Sequence, residues 1–348
     1  MAYRKIETFV KQVNEKNTNG NYEEVLGVSI DKEFMPSVAN TIGTDLKKYN
    51  VLRKNRFAFN PMHVGRDKKL PIAVYHHNEP ALVSPAYNMF EVIDKNIDID
   101  YLMLLFKTHL FDHLCWFYTD ASVRGGLTWK DFCNIELDIK DINVQHKIVT
   151  EYNFVEKQIK NSIDEIDVLE KLLITIFNNL EKNTSVSLKS LTFQQKGIKT
   201  GKAARITQKN IDNQFCIPVI GAAGIIGYTT KPYISKRVIS TGRVGTIGKV
   251  MIWDNDNWFT DNSLIIETDY IATTYCALKQ YDFKEILGGS SNPKITQTDL
   301  ENIIINVPNE NKIKEFEKNT KIIIDYILLK KKEINNLEKL KDIIISKI

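Results

Sequence analysis

A stretch of the chain from Leu127 to Ile135, LTWKDFCNI, returns later as ITQTDLENI, from Ile295 to Ile303. The two stretches share Thr, Asp, Asn and Ile at matching positions, and they lie 168 residues apart. Without a gap, the same shift places Leu169-Glu170-Lys171-Leu172 on Leu337-Glu338-Lys339-Leu340. A chance match would not keep its register over so long a stretch. The chain therefore contains an internal repeat, and the repeated unit decides the fold.

Each copy of the repeat ends in a segment typical of a long amphipathic helix. From about Gln145 to Lys182 and from about Asn311 to Ile348, apolar residues recur at steps of three and four, without Gly or Pro. Neither helix can bury such a stripe alone, so we predict an antiparallel coiled coil. The alternative is that each helix folds back onto its own domain. The predicted pairing positions, where Leu173 could replace Leu172, are Ile159, Ile166, Leu169, Leu172, Ile176, Ile327, Ile334, Leu337, Leu340 and Ile344.

The segments before the helices differ in character. Short β-branched and aromatic runs, such as Ile72–Tyr75 and Val250–Trp253, are separated by Gly, Pro, Asn and Asp, which is typical of strands and turns. Tyr101–Trp116 and Ala272–Leu287 are expected to be helical. The predicted fold is α+β: two α/β domains, residues 1–142 and 184–308, followed by the long helices 143–183 and 309–348 as a pseudo-two-fold internal repeat.

Composition sets broad limits on function. The chain has 348 residues, enough for two domains, and a formal net charge of +4, a mild basic bias that is compatible with nucleic acid. The four cysteines lack zinc-site spacing and are expected to be buried thiols. The charged start is unlike a signal peptide, and the longest apolar run is too short to cross a bilayer. We expect a soluble cytoplasmic protein without a membrane partner.

Three motifs suggest chemistry but lack its essential residues. Asn60-Pro61-Met62-His63 resembles a methyltransferase loop without the aromatic residue that would stack a flipped base, and a turn is expected. Gly197–Ala203 is one residue too short for a phosphate loop. His109 and His113 have helical spacing, but no Glu stands beside the first His as in zinc proteases. We expect a non-catalytic chain without a metal or cofactor of its own.

Two glycine runs and several basic clusters remain. Gly221–Tyr228 and Thr241–Lys249 share a Gly-x-x-Gly-x-x-Gly rhythm with β-branched flanks, which predicts turns or bulges between strands. Basic clusters suit phosphate contacts, although such clusters are often only solvated surface. The candidate DNA-binding residues are Lys47, Lys48, Arg53, Lys54, Arg56, Arg66, Lys68, Lys69, Lys199, Lys202, Arg205, Lys236, Arg237, Arg243 and Lys249.

The order of these motifs resembles the specificity subunits of type I restriction–modification systems. In the second domain the resemblance rests on Ile217–Tyr228, Ile239–Lys249 and Ser290–Pro308. In the first it rests on Phe57–Met62, Val83–Tyr87 and Arg124–Leu127, which are similar to another variant of the same domain. The first domain lacks the Thr-Gly-Arg-x-Gly run of the second, so the two domains should read different sequences.

The resemblance implies a function. Each domain would read one half of a bipartite double-stranded DNA target, and the paired helices would fix the spacer and bind partner subunits. Two adenine methyltransferase subunits would carry S-adenosylmethionine, and a restriction subunit would carry ATP and Mg²⁺. Two alternatives stay open. One is a specificity subunit of a modification-only or other restriction system, and the other is a structural tether of two domains that do not bind DNA.

Overall fold

The computed structural model describes residues 2–38, 43–119, 126–197, 215–287 and 293–348. The chain divides into two compact units, each considered by itself. Unit 1 consists of Met1–Ile159 with Asn336–Ile348, and unit 2 consists of Lys160–Asn335. Both divisions fall inside the long helices. The domain limits expected from the sequence are therefore a different partition of the chain, and they stay a prediction.

Unit 1 is built from short strands with helices between them. Its strands are β1 Ala2–Lys5, β2 Val10–Val13, β3 Val25–Val28, β4 Phe34–Pro36, β5 Asn50–Leu52, β6 Phe57–Phe59, β7 Ile72–Val74, β8 Ala81–Val83, β9 Asn88–Val92 and β10 Glu136–Ile139. Its helices are α1 Val64–Asp67, α2 Ile99–Phe106, α3 His109–Phe117, α4 Trp129–Asn134 and the first part of α5 Ile142–Asn178. The sheet orders are β2-β9-β6-β7, β4-β3-β8-β5 and β1-β10.

Unit 2 has the same kind of construction. Its strands are β11 Thr184–Ser187, β12 Phe193–Lys196, β13 Ile217–Gly221, β14 Gly224–Thr229, β15 Ile234–Ser235, β16 Val238–Gly242, β17 Met251–Trp253, β18 Asp256–Phe259, β19 Ser263–Glu267 and β20 Ile304–Val307. Its helices are α6 Ile271–Lys279, α7 Gln297–Glu301 and most of α8 Glu310–Ser346, together with the rest of α5. The sheet orders are β12-β19-β16-β17, β14-β13-β18-β15 and β11-β20.

The two units share one topology. Every strand of unit 1 has its counterpart ten strands later, in the same sheet position. Among the described residues, each unit has one parallel strand pair, β3 with β8 and β13 with β18, and the other strand pairs are antiparallel. The repeat that the sequence shows clearly only near the helices therefore extends through both domains, and the predicted α+β architecture with an internal repeat is confirmed.

The repeated Thr and Asp of the opening stretch form helix caps. Thr128 Oγ1 accepts a hydrogen bond from Asp131 N at 3.1 Å at the start of α4, and Thr296 Oγ1 accepts one from Asp299 N at 3.1 Å at the start of α7. Such caps satisfy backbone N–H groups that have no partner within the helix. Seven residues after Thr128, the Ile135 carbonyl accepts from Ile6 N at 3.0 Å. The Ile303 carbonyl accepts equivalently from Leu188 N at 2.8 Å.

The long helices pack against each other within each unit. In unit 2, Glu165 of α5 lies 3.0 Å from Lys330 of α8. Further along, the rings of Phe177 and Phe316 are 5.6 Å apart. Because residue numbers increase along α5 in the direction in which they decrease along α8, the two helices are antiparallel. In unit 1, Glu156 of α5 binds Lys341 of α8 at 2.6 Å. The predicted pairing of the helices is confirmed.

The apolar stripe differs from the expectation at two positions. Leu172 and Leu340 are 46% and 43% exposed, whereas Leu173 is fully buried in the core of unit 2. Leu172 and Leu340 are counterparts in the repeat, so both stand on the same helical face, away from the packed side. Ile159, Ile166, Ile327 and Ile344 are buried, and Leu169, Ile176, Ile334 and Leu337 are partly buried.

The predictions for two shorter helices and for the buried cysteines are confirmed only in part. The helix expected over Tyr101–Trp116 is two helices, because Thr108 caps α3 and accepts a hydrogen bond from Phe111 N at 3.2 Å. Ala272–Leu287 is α6 followed by a 3-10 turn, Phe283–Ile286. Cys115, Cys133 and Cys276 are buried as predicted, but the prediction is wrong for Cys216. This residue is exposed because it precedes β13 and lies outside the sheet.

The long helices also hold the domains through single polar side chains. In unit 1, the buried Gln145 of α5 accepts from Asp98 N at 2.8 Å and donates to the carbonyls of Asn96 and Lys140. In unit 2, Glu317 of α8 accepts from Ala272 N at 3.0 Å and Thr273 N at 2.7 Å, at the start of α6. Burial raises the pKa of Glu317. Each unit thus fixes a domain helix onto a long helix.

The neighbouring leucines of α5 provide a test of the packing. We expect Leu173→Ala to lower the free energy of unfolding by about 2–5 kcal/mol, because it removes a fully buried side chain. Leu172→Ala is the matched control, and its effect should stay within roughly 0.5 kcal/mol, since Leu172 is exposed. Urea unfolding followed by circular dichroism measures both. Equal effects of the two variants would contradict the assignment of the buried stripe.

Candidate nucleic-acid interface

Two strand connections stand at the same place in the two units and carry candidate basic residues. In unit 1, residues 60–71 connect β6 to β7 and include Arg66, Lys68 and Lys69. In unit 2, residues 243–250 connect β16 to β17 and include Arg243 and Lys249. The Thr-Gly-Arg-x-Gly run of the second domain therefore has a topological counterpart in the first, although the two sequences differ. We call them the basic connections.

The same backbone hydrogen bond holds both basic connections. Leu127 N donates to the carbonyl of Pro61 at 3.1 Å, and Ile295 N donates to the carbonyl of Arg243 at 3.0 Å. Leu127 and Ile295 begin the two repeated stretches. The repeated stretches, which are similar in the two units, thus support two basic connections whose sequences differ.

In unit 2, the two glycine runs meet at this point. A β-carbon at Gly242 would lie 1.9 Å from the carbonyl oxygen of Thr246 and 2.9 Å from that of Ala222, so only glycine fits. The turn between β13 and β14 therefore approaches the basic connection closely. Lys249 Nζ bridges the two by donating to the carbonyl of Ala223 at 2.8 Å. The predicted turns between strands are confirmed, and β13 also has a bulge between Val219 and Ile220.

In unit 1, a buried ion pair links the turn between β3 and β4 to the first basic connection through α3. Lys32, in the turn between β3 and β4, binds Asp112 of α3 at 2.7 Å, and it also donates to the carbonyl of Phe106. The same carboxylate oxygen of Asp112 accepts from Leu70 N at 3.1 Å, in the basic connection. Burial lowers the pKa of Lys32, and the charge of Asp112 opposes that shift. No motif in the sequence identified this pair, because its members are far apart in the chain.

Several candidate basic residues are bound to carboxylates. Arg53 and Arg56 share Glu15, each with a shortest contact of 2.6 Å, and the Arg56 side chain is only 11% exposed. Their hydrogen bonds hold the pKa of Glu15 down at about 2. In unit 2, Arg237 binds Asp254 at 3.2 Å and Asp325 of α8 at 2.8 Å. These guanidinium groups link one element of the protein to another. Their charges are already paired with carboxylates of the protein itself.

The remaining candidates are distributed as follows. Lys236 binds Glu267, Lys54 donates to Asn78, and Lys48 lies 3.7 Å from Asp45. Lys47 is exposed in the 3-10 turn Leu46–Lys48. Arg66 pairs with the adjacent Asp67 at 2.7 Å. The structure thus gathers only Arg66, Lys68 and Lys69 in one connection, and Arg243 and Lys249 in the other. Lys199, Lys202 and Arg205 lie outside the described residues.

One motif that suggested chemistry has a structural explanation, whereas residues 198–203 of the Gly197–Ala203 motif lie outside the described residues. Asn60 caps the 3-10 turn Pro61–His63 by accepting from Met62 N at 3.0 Å, so the predicted turn is confirmed. Within the described ranges, no group of three or more His, Cys, Asp or Glu side chains could hold a metal ion. Among the same residues, no helix is both long and apolar enough to span a membrane.

A family model matches the part of the chain that contains the second basic connection. Residues 173–339 match the family model of the type I restriction modification DNA specificity domain. This part of the chain is thus similar to such a domain. The matched residues include the second basic connection, the repeated stretch Ile295–Ile303 and most of α8. The resemblance of the motifs in unit 2 to type I specificity subunits is therefore confirmed. No curated protein matches the chain.

A solved structure shares the fold of this chain. The S subunit of a type I restriction–modification system from M. genitalium aligns with a TM-score of 0.56 at 16% identity, over 99% of this chain and 95% of that one. The HsdS subunit from Thermoanaerobacter tengcongensis aligns with a TM-score of 0.39 at 11% identity, over 99% and 95% of the two chains. The first structure shows that this chain has the fold of that S subunit.

Acid titration tests the structural role of Arg53 and Arg56. Because the folded chain lowers the pKa of Glu15 from 4.5 to about 2, the stabilisation is complete above about pH 4.5 and is lost as the pH falls towards 2. We expect Glu15→Gln to be less stable than the wild type at pH 7, with the difference shrinking below pH 4. Urea unfolding at a series of pH values measures this. Glu23→Gln, at an exposed position, is the control. A constant difference at every pH would contradict the assignment.

Proposed function

We propose that this chain is the DNA-reading specificity subunit of a type I restriction–modification complex and that each unit reads one half of a bipartite double-stranded DNA target. The observation that carries the proposal is the pair of basic connections. They occupy one topological position, are held by one repeated hydrogen bond and differ in sequence. The family match of residues 173–339 gives the second connection its DNA context.

The chemistry of the connections suits this role. Lys and Arg side chains neutralise phosphates, and Arg can also bond two atoms of a guanine edge in the major groove. Gly242 and the turn Gly221–Gly224 allow the backbone of unit 2 to approach a partner closely. Because the connections differ in length and in residues, two half-sites of different sequence are expected. The paired helices would then set the unread spacer between them.

Exposed apolar residues on the long helices support a second part of the proposal, two equivalent docking surfaces for methyltransferase subunits. Phe154 and Ile322 are counterparts in the repeat and both are exposed, as are the counterparts Leu172 and Leu340. In unit 1, Phe154 of α5 and Leu340 of α8 stand at the level where the Glu156–Lys341 ion pair joins the two helices. Solvent-facing apolar residues repeated in this way are typical of interaction surfaces. One surface in each unit suits two copies of one partner.

The reaction itself belongs to the partners in this proposal. The methyltransferase subunits would supply S-adenosylmethionine and methylate adenine, and a restriction subunit would use ATP and Mg²⁺. A complex that only modifies DNA would use the same chain without the restriction subunit. Co-purification of subunits with this chain distinguishes the two.

Selection of duplexes from a random pool tests the reading of DNA. We expect the full chain, with its methyltransferase partners, to enrich one bipartite sequence, with an affinity that falls steeply with salt. Arg243→Gln should relax one half-site, and Arg66→Gln should affect only the other. Lys318→Gln, an exposed change on α8, is the matched control. Enrichment of no sequence by the wild-type complex would refute the proposal.

Lengthening the helices tests the spacer. Residues 160–166 of α5 and 329–335 of α8 face one another around the Glu165–Lys330 ion pair. Duplicating both segments adds roughly 10 Å at 1.5 Å per residue, equivalent to about three base pairs. We expect a longer spacer between unchanged half-sites. Altered half-sites with the original spacer would contradict the role of the helices. Duplication in α5 alone should disrupt the pairing, and it serves as the control.

A further inference from the structure

One face of α3 in unit 1 exposes large apolar and aromatic side chains to solvent. Leu110, Trp116 and Phe117 are 69%, 42% and 79% exposed, and His109 and His113 are exposed on the same face. The spacing of these five residues places them along one side of the helix. The opposite side, which includes Phe111, Asp112 and Cys115, is buried. We call the five residues the outer face of α3.

The outer face continues into the first basic connection. Lys68 Nζ lies 4.6 Å from the ring centroid of Trp116, a cation–π contact. On the buried side, Asp112 accepts from Leu70 N at 3.1 Å, which fixes α3 against the same connection. The apolar residues of α3 and the cationic residues Arg66, Lys68 and Lys69 therefore form one surface.

The charge of this surface is positive. The carboxylate of Asp112 faces inward and is paired with Lys32 at 2.7 Å. Asp67 is bound by the guanidinium of Arg66 at 2.7 Å. The carboxylates of Asp67 and Asp112 thus have cationic partners already. A polyanion complements what is left, whereas a purely apolar partner would not use the lysines.

Unit 2 has no such face in the part of the chain that the structure describes. After α6, the position equivalent to α3 is the 3-10 turn Phe283–Ile286. Phe283 is buried, and a β-carbon on Gly248 would lie 2.8 Å from its ring. This aromatic residue therefore packs closely against the second basic connection. The exposed aromatic face is therefore particular to unit 1.

We infer that the outer face of α3 is a DNA-contacting surface of unit 1, which adds apolar contacts with bases to the phosphate contacts of Lys68 and its neighbours. This inference rests on the proposed function. Exposed aromatic side chains beside cationic residues suit nucleic acid, because rings contact or wedge between bases while the cations neutralise phosphates. The half-site of unit 1 is then read by a helix face in addition to a loop, unlike the half-site of unit 2.

Photo-crosslinking identifies what occupies the face. p-Benzoylphenylalanine replaces Phe117 in the full chain, which is irradiated with its methyltransferase partners and the selected duplex. We expect an adduct with DNA. The matched control places the same group at Phe154, an exposed aromatic residue of α5, where DNA adducts should be absent and protein adducts present. Protein adducts alone at position 117, or no adduct, would overturn the inference.

Affinity measurements keep the inference separate from the proposed function. We expect Phe117→Ala to weaken binding of the selected duplex roughly tenfold. Tyr3→Ala, at an exposed aromatic residue of β1 in the same unit, is the control and should leave binding unchanged. Lys68→Gln should lower the slope of log affinity against log salt by about one. If the wild-type complex binds DNA but Phe117→Ala binds it equally well, only the role of α3 fails. If the wild-type complex binds no DNA, the proposed function fails too.

Discussion

The apolar stripes of the two long helices are the constraint on which the other features of this chain depend. Each stripe needs a partner, because a solvent-exposed row of Ile, Leu and Phe side chains is costly. Antiparallel packing within each unit meets that need, and Lys330–Glu165 and Lys341–Glu156 flank the stripe with ion pairs. The domains are then fixed to the helices by the buried Gln145 and the half-buried Glu317, whose side chains satisfy backbone groups of the domains.

In this arrangement the repeated stretches are constrained, whereas the basic connections that they hold can vary in sequence. The repeated stretches supply helix caps and the backbone hydrogen bonds from Leu127 and Ile295, which need backbone geometry more than particular side chains. The connections that receive those bonds are free to differ. In unit 1 the connection is held by the Lys32–Asp112 pair, and in unit 2 by Gly242 and Lys249. A common frame with exchangeable connections suits a protein that reads two different half-sites.

The sequence predicts the parts of this structure that depend on local patterns. Helical spacing without Gly or Pro identified α5 and α8, and the glycine rhythm identified the turn after β13. The register of the stripe was harder, because Leu172 and Leu173 both fit a near-heptad pattern and only packing distinguishes them. The division between α2 and α3 depends on one capping bond of Thr108.

Long-range pairing explains why the candidate site was predicted only in part. A basic cluster in the sequence does not show which of its members already have carboxylate partners. Arg56 is bound by Glu15 and Glu91, which lie far from it along the chain. The Lys32–Asp112 pair was missed for the same reason. The shared position of the two basic connections emerged only from the strand order, because their sequences differ.

The central claim is that the two units together select one bipartite DNA sequence for a modifying complex. Mapping methylated bases in the genome of the host, with the gene for this chain intact and deleted, tests it most directly. The account predicts that one split motif, two defined halves around a spacer of fixed length, is methylated in the first genome and unmethylated in the second. Identical methylation in the two genomes, or loss of a motif without two halves, would contradict it.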